Sequence, residues 1–168
     1  GNADLIKESV DQGLGDIGIL LEPVDISKYN HLRIPLQEKW GIIVSKTNSL
    51  ANRSYVKKED LKELPLFLTN REIVQSEISN WLKGDVSLHS MFSYNFASAI
   101  LPFIQDDQGA AITVEGAYQV LNQKNICFIP FYPELSTNTV FIWKKYTRLS
   151  PVIDRFIKKV QEYLEKSR

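Results

Sequence analysis

The feature that most constrains this chain is the alternation of short apolar segments with amphipathic ones along its 168 residues. Residues 17–21 and 126–131, for example, are short and rich in branched or aromatic side chains, as buried strands are. Between such segments, apolar residues recur three and four positions apart, which is typical of helices that cover a core. This alternation predicts an α/β architecture with mostly parallel sheets flanked by helices.

The predicted elements follow the alternation from one end of the chain to the other. Strands are expected at residues 17–21, 31–36, 40–45, 66–69, 86–94, 110–114, 126–131 and 140–143. Helices are expected at residues 3–12, 72–83, 96–106 (with a kink or an early boundary at Pro102), 115–122 and from Pro151 onward. Gly13 and Gly84 occupy positions where helices end, and Ser150 precedes Pro151 as an N-cap.

Two helices carry apolar stripes that predict which face is buried. In the first helix, Leu5, Ile6 and Val10 are expected to share the buried face. In the last helix the expected stripe consists of Ile153, Phe156, Ile157, Val160 and Leu164.

Charge and composition exclude several classes of protein. The 20 Lys and Arg residues balance 20 Asp and Glu residues, whereas free-standing nucleic-acid-binding domains usually carry a basic excess. No apolar run reaches the roughly 20 residues of a membrane helix, and no segment resembles a signal peptide. We therefore expect a cytoplasmic protein without a membrane partner.

A glycine motif and the titratable residues give no support to enzymatic chemistry. Residues 13–18 match G-x-G-x-x-G, but dinucleotide binding needs a strand before the glycines and a helix after them. Here the predicted order is reversed, so a helix stop and tight packing are the favoured roles. His31 and His89 lack the companions of a metal site, and no nucleophile with a base is evident. We expect no enzymatic activity, no cofactor and no metal.

Polar residues stand repeatedly where a predicted strand ends or a predicted helix begins. The positions are Asn2, Thr69, Asn70, Arg71, Asn95 and Thr113. In open α/β sheets, ligands gather at the carboxyl ends of strands, where helix N-termini offer N–H groups. Ordinary N-capping uses the same residue types and remains an alternative for each position. Arg71 adds a guanidinium suited to a carboxylate or phosphate, with a solvated charge or an ion pair as its alternative.

The ordered set of segments resembles the effector-binding domain of LysR-type transcription regulators over nearly the whole chain. The resemblance is carried by residues 13–19 (GLGDIGI), 36–40 (LQEKW), 49–51 (SLA), 107–112 (DQGAAI) and 149–151 (LSP), with Asp60, Leu61, Leu64, Pro65 and Phe156 between and after them. The chain departs from the family at Asn48-Ser49, where His-Pro is frequent, and near Glu115, where proline is common.

The resemblance implies a two-lobed fold like type II periplasmic binding proteins. Residues 1–40 with 141–168 would form lobe I, which is incomplete, and residues 41–140 would form lobe II. The N-terminal helix-turn-helix and the start of the first lobe are expected to be missing. The implied effector lies between the lobes, touched by Asn2, by the loop of Thr69, Asn70 and Arg71, and by Asn95 and Thr113.

The implied function is small-molecule sensing that modulates DNA binding and transcription. The implied partners are a polar or anionic effector, DNA through the missing helix-turn-helix, and copies of the chain in a homodimer or tetramer. Three alternatives remain open from the sequence: a solute-binding protein of a transport system, a small α/β transferase or hydratase, and a dimerisation module with a vestigial pocket.

Overall fold

The computed structural model describes residues 3–62, 64–82, 90–94 and 97–166. They fall into two compact units, the first made of Gly1–Gln37 with Asn138–Arg168 and the second of Glu38–Thr137. The helices are α1 (Ala3–Asp11), α2 (Glu72–Leu82), α3 (Ala97–Gln105), α4 (Glu115–Leu121) and α5 (Pro151–Lys166), with a 3-10 helix at Lys58–Leu61. The strands are β1 (Gly18–Leu21), β2 (Tyr29–Ser45), β3 (Leu66–Thr69), β4 (Ser90–Tyr94), β5 (Ala110–Val114), β6 (Ile126–Pro130) and β7 (Ser136–Lys144).

The first unit is built on the antiparallel pair of β1 and β7, with α1 packed on one face. Its core contains Ala3, Val10, Leu20, Ile26, Tyr29, Val140 and Ile142. Leu5, predicted to be buried, is 59% exposed. The prediction that Leu5 and Val10 share a face was wrong, because a separation of five residues places their side chains about 140° apart around the helix axis. Ile6, the other member of the predicted face, packs against the core.

The second unit contains a mixed sheet with the strand order β6-β2-β5-β3-β4. Strand β3 pairs in parallel with β4 and β5, whereas β2 pairs antiparallel with β5 and β6. One face carries a core of Ile43, Phe67, Ile100, Ile104, Ala111 and Ile126. The predicted α/β class is confirmed, but the pairing is mixed rather than mostly parallel.

Strand β2 replaces two of the predicted strands. Residues 31–36 and 40–45 belong to one strand of 17 residues, which also spans the boundary between the two units. The intervening residues 37–39 are polar and largely exposed, but they contain no glycine or proline that would impose a turn. The polar residues 37–39 therefore indicate where the strand becomes exposed to solvent, and not where it ends.

The remaining predicted elements agree with the structure apart from their ends and part of one stripe. Predicted strand 66–69 is found as β3 with the same bounds, and α3 continues through Pro102 to Gln105. In α5 the Oγ of Ser150 accepts a hydrogen bond from the Ile153 N–H at 3.4 Å, as an N-cap does. Of the predicted stripe on α5 only Ile157 is fully buried, and Phe156 is 45% exposed while stacking on Phe141. Residues 83–89 of the predicted helix end and strand lie outside the described residues.

Candidate functional site

The candidate site lies where three parallel strands of the second unit end. Strands β4, β3 and β5 are adjacent and run in the same direction, so their carboxyl ends lie on one edge of the sheet. Thr69, the last residue of β3, is level with Tyr94 of β4. Continuing the pairing of Phe67 with Ala111 by two residues places Thr69 level with Thr113. Thr69 and Thr113, two of the predicted positions, are therefore level with each other at the carboxyl ends of the adjacent strands β3 and β5.

The loop from Thr69 to Arg71 is held in place by hydrogen bonds. The Asn70 N–H donates to the Tyr94 carbonyl at 3.1 Å, and the Arg71 N–H donates to Thr69 Oγ1 at 3.5 Å. Gln75 on the first turns of α2 donates its Nε2 to the Thr69 carbonyl at 2.7 Å. These bonds fix the half-buried Arg71 immediately before α2, beside a helix start. Thr69, Asn70 and Arg71 therefore form the connection from the end of β3 to the start of α2.

Tyr94 is a residue of this edge that the sequence analysis did not select. Its hydroxyl donates to the Ile112 carbonyl at 2.8 Å, which connects the end of β4 with β5. Burial raises the pKa of the Tyr94 hydroxyl to about 12, and a hydrogen bond with the Thr113 side chain acts in the opposite direction. Tyr94 directly precedes the predicted Asn95, and a tyrosine at a strand end was the available signal.

Two predicted site residues cannot be placed, and a third is deeply buried. Asn2 and Asn95 lie outside the described residues. Thr113 is only 7% exposed, and its neighbourhood includes Tyr94. A role for Thr113 in ligand binding therefore requires a ligand that reaches into the sheet edge.

A carboxylate already occupies the start of α4. Glu38 Oε2 accepts a hydrogen bond from the Gly116 N–H at 2.8 Å. A Cβ atom at residue 116 would lie 2.6 Å from Glu38 Oε1, so the carboxylate would have to shift if residue 116 carried a side chain. The negative charge of Glu38 therefore lies at the start of α4, where the helix dipole favours it.

The glycine motif of residues 13–18 has the structural role that the sequence predicted. Helix α1 precedes it and β1 follows it, which is the reverse of a dinucleotide-binding turn. Gly13 has a φ of 73°, a conformation in which glycine ends helices. A Cβ on Gly18 would approach Ile6 and Ile142 within 3 Å. These glycines therefore serve a helix end and close packing.

The first unit also contains a polar surface cleft of about 280 Å³. It is lined by Asp4, Lys7, Glu8, Asp11, Asp25, Lys28 and Tyr29. Lys7 pairs with Asp4 at 3.1 Å, and the Tyr29 hydroxyl donates to Asp11 at 3.0 Å.

No group of three or more His, Cys, Asp or Glu side chains among the described residues could hold a metal ion. None of the helices in the described ranges is long and apolar enough to span a bilayer.

Comparison with known proteins gives a family match and several related folds. The family model of the LysR substrate binding domain matches residues 1–165. The uncharacterized HTH-type transcriptional regulator YvbU of Bacillus subtilis (strain 168) is 24% identical over 115 residues, covering 68% of this chain and 38% of YvbU.

Two solved structures illustrate the likeness of the fold. HinK, a LysR family transcriptional regulator from Pseudomonas aeruginosa, superposes with a TM-score of 0.77 at 14% identity, covering 100% of this chain and 59% of HinK. The CcmR regulatory domain of Synechocystis PCC6803 in complex with 2-PG gives a TM-score of 0.76 at 13% identity, covering 97% of this chain and 80% of that domain. This chain thus spans well under two thirds of the length of YvbU and of HinK.

Proposed function

Because the chain belongs to the LysR substrate-binding domain family, we propose that it is the effector-sensing part of a transcription regulator. The effector is a small polar or anionic metabolite held between two lobes, residues 1–40 with 141–168 and residues 41–140. Differential affinity for two arrangements of the regulator would couple effector binding to DNA binding. The transport-protein alternative gains no support from the related proteins, which are regulators.

The observation that supports the proposed site is the position of Thr69, Asn70 and Arg71 between the end of β3 and the start of α2. The first N–H groups of an α-helix have no intrahelical acceptor, and the helix dipole places partial positive charge there. Arg71 adds a planar fork of donors that matches a carboxylate or a phosphate. We propose that this loop binds the acidic head group of the effector, assisted by Thr113 and by Asn95, with Asn2 contributing from the other lobe.

Substitution of Arg71 tests the anion-binding role. Carboxylates and phosphates, including 2-PG, would first be screened for a rise in melting temperature, and the affinity of each hit measured by isothermal titration calorimetry. We expect Arg71→Ala to weaken binding about tenfold or more, because hydrogen bonds to charged groups contribute about 1.5–3 kcal/mol. Arg155→Ala is the matched control, since Arg155 is an exposed arginine of α5 in the other unit.

The two variants give distinguishable outcomes. Unchanged affinity in Arg71→Ala would show that Arg71 does not bind the anion, while the sensing function could still hold at other residues. Equal losses of affinity in Arg71→Ala and Arg155→Ala would show that the loss comes from the overall charge of the chain, and not from a contact of Arg71. If no anionic or polar metabolite stabilises the chain, the effector class proposed here is wrong.

The partners of the whole regulator are proposed from the family. YvbU is named an HTH-type regulator, and we propose that this chain likewise works with a helix-turn-helix that contacts DNA. We further propose a cytoplasmic location and a homodimeric or tetrameric assembly. The balanced charge of this chain supports DNA contact through another segment.

A further inference from the structure

The side chains of helix α5 form two stripes along its length. The inner stripe consists of Ile153, Ile157, Val160 and Leu164, all of which are buried or half-buried. The outer stripe consists of Val152, Phe156, Lys159 and Tyr163, each one residue before a member of the inner stripe. One residue corresponds to about 100° of rotation around an α-helix, so the two stripes face different directions.

The outer stripe is exposed although three of its four members are apolar or aromatic. Val152 is 75% exposed and Tyr163 is 71% exposed. Phe156 is about half exposed and stacks on Phe141, which is level with the exposed Ile19 where β7 pairs with β1. The exposed apolar surface therefore continues from the helix onto the strand. Single apolar side chains are common on protein surfaces, whereas a continuous patch is typical of an interaction site.

The spacing of the outer stripe fits a second helix as the partner. Its members are four, three and four residues apart, which is the spacing of the residues that meet a neighbouring helix in a coiled coil. In the heptad of a coiled coil, Phe156 and Tyr163 occupy position a, and Val152 and Lys159 occupy position d. A single polar residue in such a contact specifies how the two helices align, at a cost in stability.

Two charged residues beside the outer stripe favour a second copy of α5 as that helix. Arg155 and Glu162 are both exposed and both occupy position g of the heptad, on the same side of the stripe. Neither takes part in an ion pair among the described residues, whereas the neighbouring Lys158 pairs with Asp154 at 2.7 Å. Two antiparallel copies of α5 would place Arg155 of each copy beside the partner's Glu162. The helix is therefore complementary in charge to an antiparallel copy of itself.

We propose that two copies of the chain associate through α5, with their outer stripes packed antiparallel about a two-fold axis. Val152 then faces the partner's Tyr163, and Phe156 covers the aliphatic part of the partner's Lys159. A two-fold axis makes each of these contacts twice. The inference goes beyond the proposed function, because it names a surface and depends on no ligand. Since a helix of 16 residues is only about 24 Å long, we expect a weak and reversible dimer.

Sedimentation equilibrium of the 168-residue chain tests the association itself. Chain concentrations from about 10 μM to 1 mM cover the range in which weak interfaces form. Low ionic strength is used because salt screens exposed charges. We expect the average mass to rise with concentration along a monomer–dimer curve, which gives the dissociation constant of the dimer.

Charge reversals at the two g positions test the antiparallel contact. Glu162→Arg places two arginines beside each other at both symmetric positions, so the dissociation constant should rise about fivefold or more. Arg155→Glu should have a similar effect. The double variant Arg155→Glu with Glu162→Arg exchanges the two charges, and it should restore the dissociation constant to within about twofold of the original.

Glu165→Arg is the matched control for Glu162→Arg. It changes the net charge by the same amount at an exposed position of α5 that faces away from the outer stripe. The dissociation constant should change by less than about twofold. Residues 155, 162 and 165 are all exposed, so these variants leave the core intact.

The outcomes separate this inference from the proposed function. A chain that stays monomeric up to the highest concentration overturns the inference, and a different partner then covers the outer stripe. A dimer that is unaffected by the charge reversals uses another surface, which overturns the inference while the homodimeric assembly stands. Single reversals that the double variant does not restore would overturn the antiparallel arrangement. None of these results changes the anion titrations of Arg71→Ala, which test the effector site in the second unit.

Discussion

At the scale of single residues, the candidate site depends on a tyrosine that no motif marked. Tyr94 reaches from the end of β4 to the Ile112 carbonyl of β5, and its hydroxyl contacts the Thr113 side chain. Because burial raises its pKa to about 12, the hydroxyl remains a protonated donor throughout the physiological range. Tyr94 thus connects the ends of two strands without adding charge to the site.

The pKa of Tyr94 predicts a loss of stability at alkaline pH. The unfolded chain releases this proton near pH 10 and the folded chain near pH 12. Between these values the unfolded state binds fewer protons, so the free energy of unfolding falls as pH rises. We expect Tyr94→Phe to reduce this slope in urea unfolding between pH 9 and 12 (about the window set by the two pKa values).

A second measurement checks the same prediction on the folded state. Tyrosinate absorbance should show that Tyr94→Phe removes one group from the last part of the titration. Tyr146→Phe, at a fully exposed ring, is the control for loss of a tyrosine elsewhere. An unchanged late titration in Tyr94→Phe would contradict the assignment.

At the scale of elements, the helix ends were set by capping residues close in sequence, whereas the limits of strands depended on partners distant in sequence. Gly13 ends α1 in a left-handed conformation and Ser150 caps α5, both as their sequences predicted. Such caps need only a few adjacent residues, because the side chain or glycine acts on the nearest turn. Strand β2 was divided in the prediction because its polar middle has side-chain partners that are distant in sequence, Gly116 for Glu38 and Glu134 for Lys39.

The cap at Ser150 predicts a measurable contribution to the stability of α5. Ser150→Ala removes the acceptor of the Ile153 N–H and should lower the free energy of unfolding by about 1 kcal/mol. Ser150→Asp keeps an acceptor and places a negative charge at the helix start, so it should preserve stability. Urea unfolding of the three proteins measures the difference. Equal losses in both variants would show that the hydroxyl itself, and not capping, matters.

At the scale of the whole molecule, the chain builds two cores that belong to separate compact units. Ile142 is fully buried in the first core, and Ile104, a residue of α3, is buried in the second. Strands β2 and β7 belong in part to each unit. Separate cores allow local opening of one unit at a lower free energy than unfolding of the whole chain.

Core substitutions test this division. Ile142→Ala and Ile104→Ala should each lower the free energy of unfolding by about 2–5 kcal/mol, through lost burial and a cavity. Hydrogen exchange followed by mass spectrometry should show faster exchange mainly in the unit that carries the substitution. Each variant serves as the control for the other. A uniform increase along the whole chain in both variants would show that the two cores open together.

The site was predictable only in part, for a reason that Thr69, Arg71 and Tyr94 illustrate. Thr69 and Arg71 could be chosen because a polar residue between a strand and a helix is visible in a short window. Whether such residues meet depends on strand order, which a local pattern does not contain. Tyr94 was not chosen, since its hydrogen bond to the Ile112 carbonyl exists only where β4 and β5 are brought together by the fold.

The amino-acid sequence by itself determined the α/β class, the helix ends and the family, because periodicity, capping residues and ordered motifs are local properties of the chain. The tertiary structure alone decided that β3, β4 and β5 lie side by side, that β2 is continuous and pairs antiparallel, and that Glu38 reaches the start of α4. The hydrogen bond between Gly116 and Glu38 alone joins residues 78 positions apart. They arise from packing and hydrogen bonding across the fold, where the partner of each group is set by position in space.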